Sequence, residues 1–339
     1  MFKFCDSPFN IVHIHGNGDV SPCLCRAWHT LGVVGNLHKN TLSEIFNNDR
    51  MQEFRQTIRD QTFSYCRKDT CSKLWNLDSI ENLDHIEQPR LPTILYFQDL
   101  DYSCNLKCPS CRTGPIYSKS INPTSKYILD MIKQEYRVFD QPVMICGDGQ
   151  GEMLASSTYL DFFRAPDLPQ CIRLGINSNG NLLLKRMDLL ESLHQRGQIA
   201  SVAVCFDAAS PKTYKKIRGG RFDMVLAGVE QLVRLGINVT SQMVVQRENY
   251  HEILQYRDMC LELGVHFIGL QKINRWKHMT SNWWQHNTLE NNLNVDYNFL
   301  IPALKEFKNT PNSSICGGLE SIINSSQRSY FIKVLDSST

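Results

Sequence analysis

Cys104-Asn105-Leu106-Lys107-Cys108-Pro109-Ser110-Cys111 places three cysteines in the spacing CxxxCxxC directly after a strand-like run at 93–100. Four thiolates close a 4Fe-4S cluster. Three in one tight loop leave one iron without a protein ligand, and an open metal position is where a small molecule binds and reacts. The alternatives are a zinc knuckle or three unrelated buried cysteines. A zinc site ordinarily pairs two short cysteine spacings, which makes it the weaker reading.

The rest of the chain bounds that reading. Its 339 residues favour two domains, and 42% hydrophobic residues are ample for a core. Thirty-six Lys and Arg against 34 Asp and Glu leave a net charge of +2, so charge implies no nucleic acid or other polyanion as partner. Thirteen cysteines are many for this length. The opening Met1-Phe2-Lys3-Phe4-Cys5-Asp6 has no long apolar run followed by a small-residue cleavage site. No stretch reaches the roughly 18 apolar residues needed to span a bilayer. The expectation is a cytoplasmic protein with no membrane partner, in a reducing compartment where clustered thiols bind metal more often than each other.

In the amino-terminal third, 9–15 reads as a strand, Gly16-Asn17-Gly18-Asp19 as a turn and Val20-Ser21-Pro22-Cys23 as the return strand, with Cys25 just beyond. Thr41-Leu42-Ser43-Glu44 is a capping box opening a helix at Leu42, Ile45 and Phe46. A second helical stripe follows at Met51, Phe54 and Ile58 and ends before Cys66 and Cys71. Cys5, Cys23, Cys25, Cys66 and Cys71 are enough for one cluster with one to spare, or for a structural zinc site. The acidic stretch 78–92, with Pro89 and Pro92, reads as a linker.

Beyond it, short apolar runs at 93–100, 142–146, 171–177, 199–206, 237–245 and 265–271 alternate with helical patterns at 125–139, 183–195, 223–235 and 248–263. Alternation of this kind implies parallel strands with right-handed crossovers. At about 30 residues per unit the stretch holds about six of the eight units of a full barrel. Parallel barrels gather reactive groups at the carboxyl ends of their strands. Gly149-Gln150-Gly151-Glu152 lies there after the second strand and Ser178-Asn179-Gly180 after the third; Cys205-Phe206-Asp207, then Arg218-Gly219-Gly220, follow the fourth. Val244, Val245 and Gln246 end the fifth. Glycines permit close backbone approach, and an arginine pairs with carboxylates by charge-assisted bonds.

The cysteine spacing with this strand-helix pattern resembles the radical S-adenosylmethionine (radical SAM) superfamily. The amino-terminal region is similar to the SPASM or shorter twitch auxiliary-cluster domain. That second likeness rests on Cys5, Gly18-Asp19-Val20-Ser21-Pro22-Cys23, Gly35-Asn36-Leu37, Leu42 to Asn47, Arg55 and the Cys66/Cys71 pair. Together they imply an α/β fold: a partial (β/α)6 radical SAM barrel at 89–275, preceded by a small Cys-rich α+β domain at 1–88 and followed by 276–339. The resemblance implies a SAM-binding 4Fe-4S cluster on Cys104, Cys108 and Cys111, its fourth iron chelated by the SAM amino and carboxylate groups. It implies one auxiliary 4Fe-4S cluster on Cys5, Cys23, Cys66 and Cys71, with Cys25 competing for the place of Cys23.

By the same resemblance Gly149, Gly151 and Glu152 hold the SAM ammonium, and Arg218 and the position of Cys205 its carboxylate. Ser178 and Asn179, with Gly180, either close on the SAM ribose or form a polar left-handed turn. Ser110 stands where relatives often carry an aromatic against adenine, so adenine must be held elsewhere, and Val244, Val245 and Gln246 are either its contacts or ordinary core. Other departures are that the auxiliary domain comes first in this chain, that it lacks the additional C-terminal cysteines of the full form, which favours one auxiliary cluster over two, and that a thiol at Cys205 is a poorer donor than the serine of relatives. That thiol is either an inert core residue or a hydrogen-atom donor to a substrate radical.

Trp276, His278, Trp283, Trp284 and His286 form either a lid at the barrel mouth or a packed return segment, with a helix at 297–307 and an edge strand at 329–334 following. Cys146, Cys171, Cys260 and Cys316 have no partner spacing. The expected function is reductive SAM cleavage to a 5′-deoxyadenosyl radical and modification of an unactivated C–H bond (oxidation, epimerisation or crosslinking). The substrate would be a peptide or a sugar-like small metabolite, with a flavodoxin- or ferredoxin-type reductant. A non-catalytic iron-sulfur electron carrier or sensor and a zinc-stabilised binding protein are the competing classes.

Overall fold

The computed structural model describes residues 2–23, 29–68, 71–75, 77–80, 90–118, 120–147, 150–276, 279–290, 292–316 and 318–325. Cys25, Gly149, His278 and the strand expected at 329–334 lie outside them. The chain forms two compact units. The first comprises Met1–Ser103, Tyr117–Ile176 and Ser192–Ala200, the second Cys104–Ile116, Asn177–Glu191 and Ser201–Thr339.

The strands in chain order are β1 (Phe2–Phe4), β2 (Ile11–His15), β3 (Asp19–Pro22), β4 (Gly35–Asn36), β5 (Asp78–Ile80), β6 (Ile94–Gln98), β7 (Val143–Gly147), β8 (Ile172–Ser178), β9 (Ile199–Val204), β10 (Val239–Val245), β11 (Phe267–Lys272) and β12 (Ser313–Cys316). The helices used below are α1 (Ser7–Asn10), α2 (Leu42–Phe46), α3 (Asp49–Arg59), α4 (Ser72–Trp75), α5 (Pro123–Glu135), α6 (Ser157–Arg164), α7 (Met187–Gln195), α8 (Pro211–Ile217), α9 (Phe222–Arg234), α10 (Ile253–Glu262), α11 (Ser281–Asn287), α12 (Tyr297–Lys308) and α13 (Leu319–Ser325). All six strands expected between 93 and 271 form, within a few residues of their expected ends.

In the first unit the hairpin closes as its sequence requires: β2 and β3 pair antiparallel with Val12 opposite Pro22 and Ile14 opposite Val20. Gly18 takes the left-handed φ of +84° that the turn demands. The other edge of β2 pairs in parallel with β6, from Ile11 against Ile94 to His15 against Gln98, and β6, β7 and β8 continue in parallel. Within β6 only Leu95 and Phe97 are fully buried, alternate positions that face one side of the sheet. Helix α5 buries Ile128, Leu129 and Ile132, after capping its start with the Asn122 side chain. The capping box at Thr41 and Glu44 is complete at the head of α2, and α3 buries Met51, Phe54 and Ile58. Each buried Leu, Ile or Phe of this kind contributes about 1.5–3 kcal/mol over leaving it exposed.

In the second unit β9, β10, β11 and β12 are parallel neighbours. Helix α9 buries Val225, Val229 and Leu232 on one stripe. The strand β12 was not apparent in the sequence, because Ser313-Ser314-Ile315-Cys316 has no apolar alternation. It forms by pairing with β11, Ile268 opposite Ser313 through Gln271 opposite Cys316. Trp283 and Trp284 sit on α11, half-buried, while Trp276 is exposed. Among the described residues no helix is long and apolar enough to cross a membrane.

Candidate iron-sulfur and SAM site

The loop Cys104–Ile116 is closed at its base by two backbone bonds between Cys104 and Ile116, of 2.7 and 3.0 Å. Inside it the amide N–H groups of Cys111 and Arg112 both donate to the Cys108 carbonyl, at 2.9 and 3.0 Å, which folds the CxxC half into a tight turn. Cys104 and Cys108 are buried and Cys111 is exposed. Burial works against the Arg112 charge, yet its pKa is raised: the bond from Arg112 Nη2 to Cys111 Sγ at 3.5 Å and the charges of Cys104 and Cys108 more than offset burial.

The same unit surrounds the loop with polar groups. Asn179 Nδ2 donates to Asn105 Oδ1 at 2.8 Å and approaches Cys104 Sγ at 3.7 Å. Asn181, two residues on, donates to Tyr214 Oη at 2.6 Å. Ser178 Oγ accepts from the Gly180 amide at 3.0 Å, so it builds the turn, with Gly180 at φ +82°. Asn179 thus faces the cysteine loop, a role that the ribose expectation did not include. Cys205 is half-buried, and its amide bonds to the Ser178 carbonyl at 3.1 Å. Val245 and Gln246 are buried, and the Gln246 amide is held by Asn249 Oδ1 at 2.8 Å.

Arg218 lies against Cys108, Nη1 at 3.9 Å from its sulfur, and Nη2 is ion-paired to Asp207 Oδ2 at 2.7 Å. Burial opposes the Arg218 charge, but Asp207 first, then Cys108 and Cys205, hold its pKa well above the ordinary value. Its Nε is buried without a hydrogen-bond partner. An orphaned cationic donor beside the cluster loop fits a carboxylate ligand. Asp207 is the residue that sequence reasoning left without a role. It sits at a strained φ of +57°, with its carbonyl and carboxylate held by Asn249 Nδ2 at 2.8 Å and the Val244 amide at 2.7 Å. A carboxylate at a strand end followed by a helix-end arginine was the available signal.

In the first unit Gly151 and Glu152 pack on the chain just before Cys104. The Glu152 amide donates to the Ser103 carbonyl at 2.7 Å, and Glu152 is 1% exposed. A Cβ on Gly151 would stand 2.3 Å from the Asp101 carbonyl oxygen and 3.1 Å from that of Ser103. Both are backbone atoms that cannot swing aside. Gly151→Ala is therefore expected to destabilise the protein by about 1–3 kcal/mol and to lower iron incorporation, read by denaturant unfolding and iron analysis. Unchanged stability and iron would mean that this approach is not needed.

The auxiliary cysteines also come together in the first unit. Cys5, Cys23 and Cys71 are buried, and Cys66 is half-buried in an antiparallel bridge with His29. Burial first, then the charges of Cys5, Cys23 and Cys71, push the Cys66 thiol up to about 12. Buried thiols of this kind fit an iron-sulfur cluster, whose irons take up the thiolate charge. Among the described residues no three His, Cys, Asp or Glu side chains converge on a point that a single ion could occupy. Cys23 has φ +69°, a left-handed conformation at the end of β3.

Comparison with known proteins finds a family model over each of the two regions that carry these residues. Residues 5–72 match the SPASM iron-sulfur cluster-binding domain and residues 102–260 the radical SAM superfamily. The AdoMet-dependent heme synthase of Methanosarcina barkeri is 28% identical over 171 residues, 49% of this chain and 46% of that protein. The GTP 3′,8-cyclase of Alkaliphilus oremlandii is 28% identical over 179 residues, 50% of this chain and 54% of that protein. The chain thus spans about half the length of these curated relatives. The structure of Streptococcus suis SuiB bound to the precursor peptide SuiA is similar in fold, with a TM-score of 0.51 at 12% identity, covering 96% of this chain and 75% of that one. With SAM, a SAM-binding 4Fe-4S cluster and auxiliary iron-sulfur as the cofactors these domains imply, the chain belongs to the radical SAM superfamily and carries an amino-terminal SPASM domain.

Proposed function

We propose that the protein cleaves SAM reductively and uses the resulting radical to modify an unactivated C–H bond. The observation that carries this reading is the cysteine loop itself: three thiols, two of them buried, with Arg112 against Cys111 and Arg218 Nε left unpaired beside Cys108. When bound, a 4Fe-4S cluster with one open iron supplies the electron that splits the SAM sulfonium. Cys104, Cys108 and Cys111 are assigned to that cluster, Arg218 to the SAM carboxylate, Gly149, Gly151 and Glu152 to its ammonium. Val245 and Gln246 are assigned to adenine and Ser178 to the ribose side, while Asn179 orients the loop through Asn105 and Cys104. The chain's own part is to bind, orient and exclude water; the hard chemistry belongs to the cofactors.

The domain reading that accompanies this keeps 1–88 as the auxiliary-cluster region, 89–275 as the catalytic barrel and 276–339 as its cover. Cys5, Cys23, Cys66 and Cys71 are assigned as auxiliary ligands. A peptide substrate is suggested by the SuiB likeness, and a small metabolite by the cyclase and heme synthase relatives. The electron source is assigned to a flavodoxin- or ferredoxin-type protein and the compartment to a reducing cytoplasm. The test is incubation of reduced, reconstituted protein with SAM alone. Release of 5′-deoxyadenosine is expected, and its absence from iron-replete protein would leave only an electron carrier or sensor.

Cys205 is assigned as the donor that returns a hydrogen atom to the substrate radical, on the ground that it is half-buried and within reach of Arg218. With the substrate in D2O, Cys205→Ala is expected to remove solvent deuterium from the product while 5′-deoxyadenosine still forms. Unaltered deuterium content ends that assignment.

A further inference from the structure

Lys73 joins the two segments of the first unit that carry Cys5 and Cys71. It lies on α4, two residues after Cys71, and its ammonium is ion-paired to Asp6 Oδ1 and donates to Ser7 Oγ at 3.1 Å. Asp6 and Ser7 directly follow Cys5 in the chain. The antiparallel pairing of β1 with β5, Phe4 opposite Asp78, holds the same two stretches together. Ser7 is 0% exposed and Cys5 is buried, whereas the Lys73 and Asp6 side chains are 35% and 49% exposed. The ion pair thus sits at the rim of the buried thiols, with one charge of each sign.

The two charges act on Cys5 in opposite directions. Burial pushes the Cys5 thiol up; the Ser7 amide and hydroxyl and then the Lys73 charge pull it back, while the Asp6 charge adds to the rise. Asp6 is next to Cys5 in the chain, and the Lys73 ammonium is anchored on Ser7, two residues from it. At that spacing salt of physiological strength, which screens over roughly 8–10 Å, leaves much of each charge in force. Reduction adds one negative charge to a cluster bound by Cys5. A neighbouring ammonium therefore favours the reduced form, and a neighbouring carboxylate favours the oxidised one.

We propose that the Asp6–Lys73 pair sets the reduction potential of the auxiliary cluster on Cys5, Cys23, Cys66 and Cys71, Lys73 raising it and Asp6 lowering it. This rests on the assignment of those four cysteines as cluster ligands. Both side chains act through space, and the Lys73 bond to Ser7 fixes where the ammonium stands.

The test is a dithionite redox titration of the full-length, two-cluster protein followed by electron paramagnetic resonance, reading the signal that SAM leaves unchanged. Lys73→Gln keeps a donor and removes the charge. It is expected to lower the reduced-to-oxidised ratio by about threefold or more, or about 28 mV in midpoint potential at about 59 mV per decade for one electron. Asp6→Asn keeps an acceptor for Lys73 and is expected to raise that ratio by about the same factor. Lys73→Arg and the double variant Asp6→Asn with Lys73→Gln are expected to stay within about twofold of wild type. A purely structural role would move both single variants the same way. Opposite shifts in the two single variants support the inference, and any other pattern overturns it. Should Lys73→Gln fail to assemble the cluster, Asp6→Asn is read alone: a raised potential supports the inference and an unchanged or lowered one overturns it. If wild-type protein holds only about four irons and one cluster signal, the ligand assignment fails and the inference falls with it. Two clusters whose potentials ignore both substitutions remove the inference alone.

Discussion

Cys108→Ala is expected to abolish 5′-deoxyadenosine formation and to bring iron from about eight to about four per chain. The residue is buried at the centre of the loop: its carbonyl takes two amide bonds, and its sulfur lies against Arg218. Removing it leaves two thiols, too few to hold a cubane. The auxiliary signal is expected to persist, because Cys5, Cys23, Cys66 and Cys71 belong to the other compact unit. Iron analysis and product chromatography on one preparation decide the matter. A variant that retained eight irons and turned over SAM would place the reactive cluster elsewhere. Cys66→Ala is the mirror experiment, expected to lose the auxiliary iron and keep SAM cleavage.

The second large effect is expected at the Arg218–Asp207 pair. Arg218→Met leaves the Asp207 carboxylate buried and unpaired, which costs about 3–5 kcal/mol for a buried pair broken on one side. It also removes the orphaned Nε donor, and a charge-assisted bond to the SAM carboxylate is worth about 1.5–3 kcal/mol, or roughly 10- to 150-fold in SAM affinity. The two losses separate in the double variant Asp207→Asn with Arg218→Met. It is expected to recover most of the stability, since no charge remains buried alone, while SAM binding stays weak. Denaturant unfolding and equilibrium dialysis with SAM measure the two quantities. If the double variant regained both, Arg218 would serve only the fold.

Asp207 also illustrates where a site stores strain. A non-glycine residue at φ +57° is sparsely populated and persists only where its surroundings fix it. Here Asn249, Val244 and Arg218 each hold one part of it. Asn249 is 0% exposed and ties Asp207 and Val244 to the Gln246 amide, so the end of β10 and the third residue after β9 are fixed by one side chain. Placement of this kind keeps the Arg218 guanidinium ordered before any ligand arrives, which lowers the cost of binding.

Much of this was legible from sequence because the signals are local. The CxxxCxxC spacing, the capping box at Thr41, the hairpin turn at Gly18 and the strand-helix periodicity of 93–271 depend on residues within a few positions of each other. Propensity, turn chemistry and amphipathic period fix them before any long-range contact forms. The capping box and the six strands accordingly appear within a few residues of expectation.

What the tertiary structure alone decided are the pairings between distant segments. That β2 adds in parallel beside β6, that Ser313–Cys316 becomes a strand against β11, and that Asp207 engages Arg218 all depend on backbone edges and charges meeting in space. The same holds for Arg55, an ordinary helix residue in the sequence, which folding leaves buried between two phenyl rings. Which cysteines share an iron can be guessed from spacing. Which charges surround them cannot, because Coulomb energy depends on separation and burial, and a linear order of residues specifies neither.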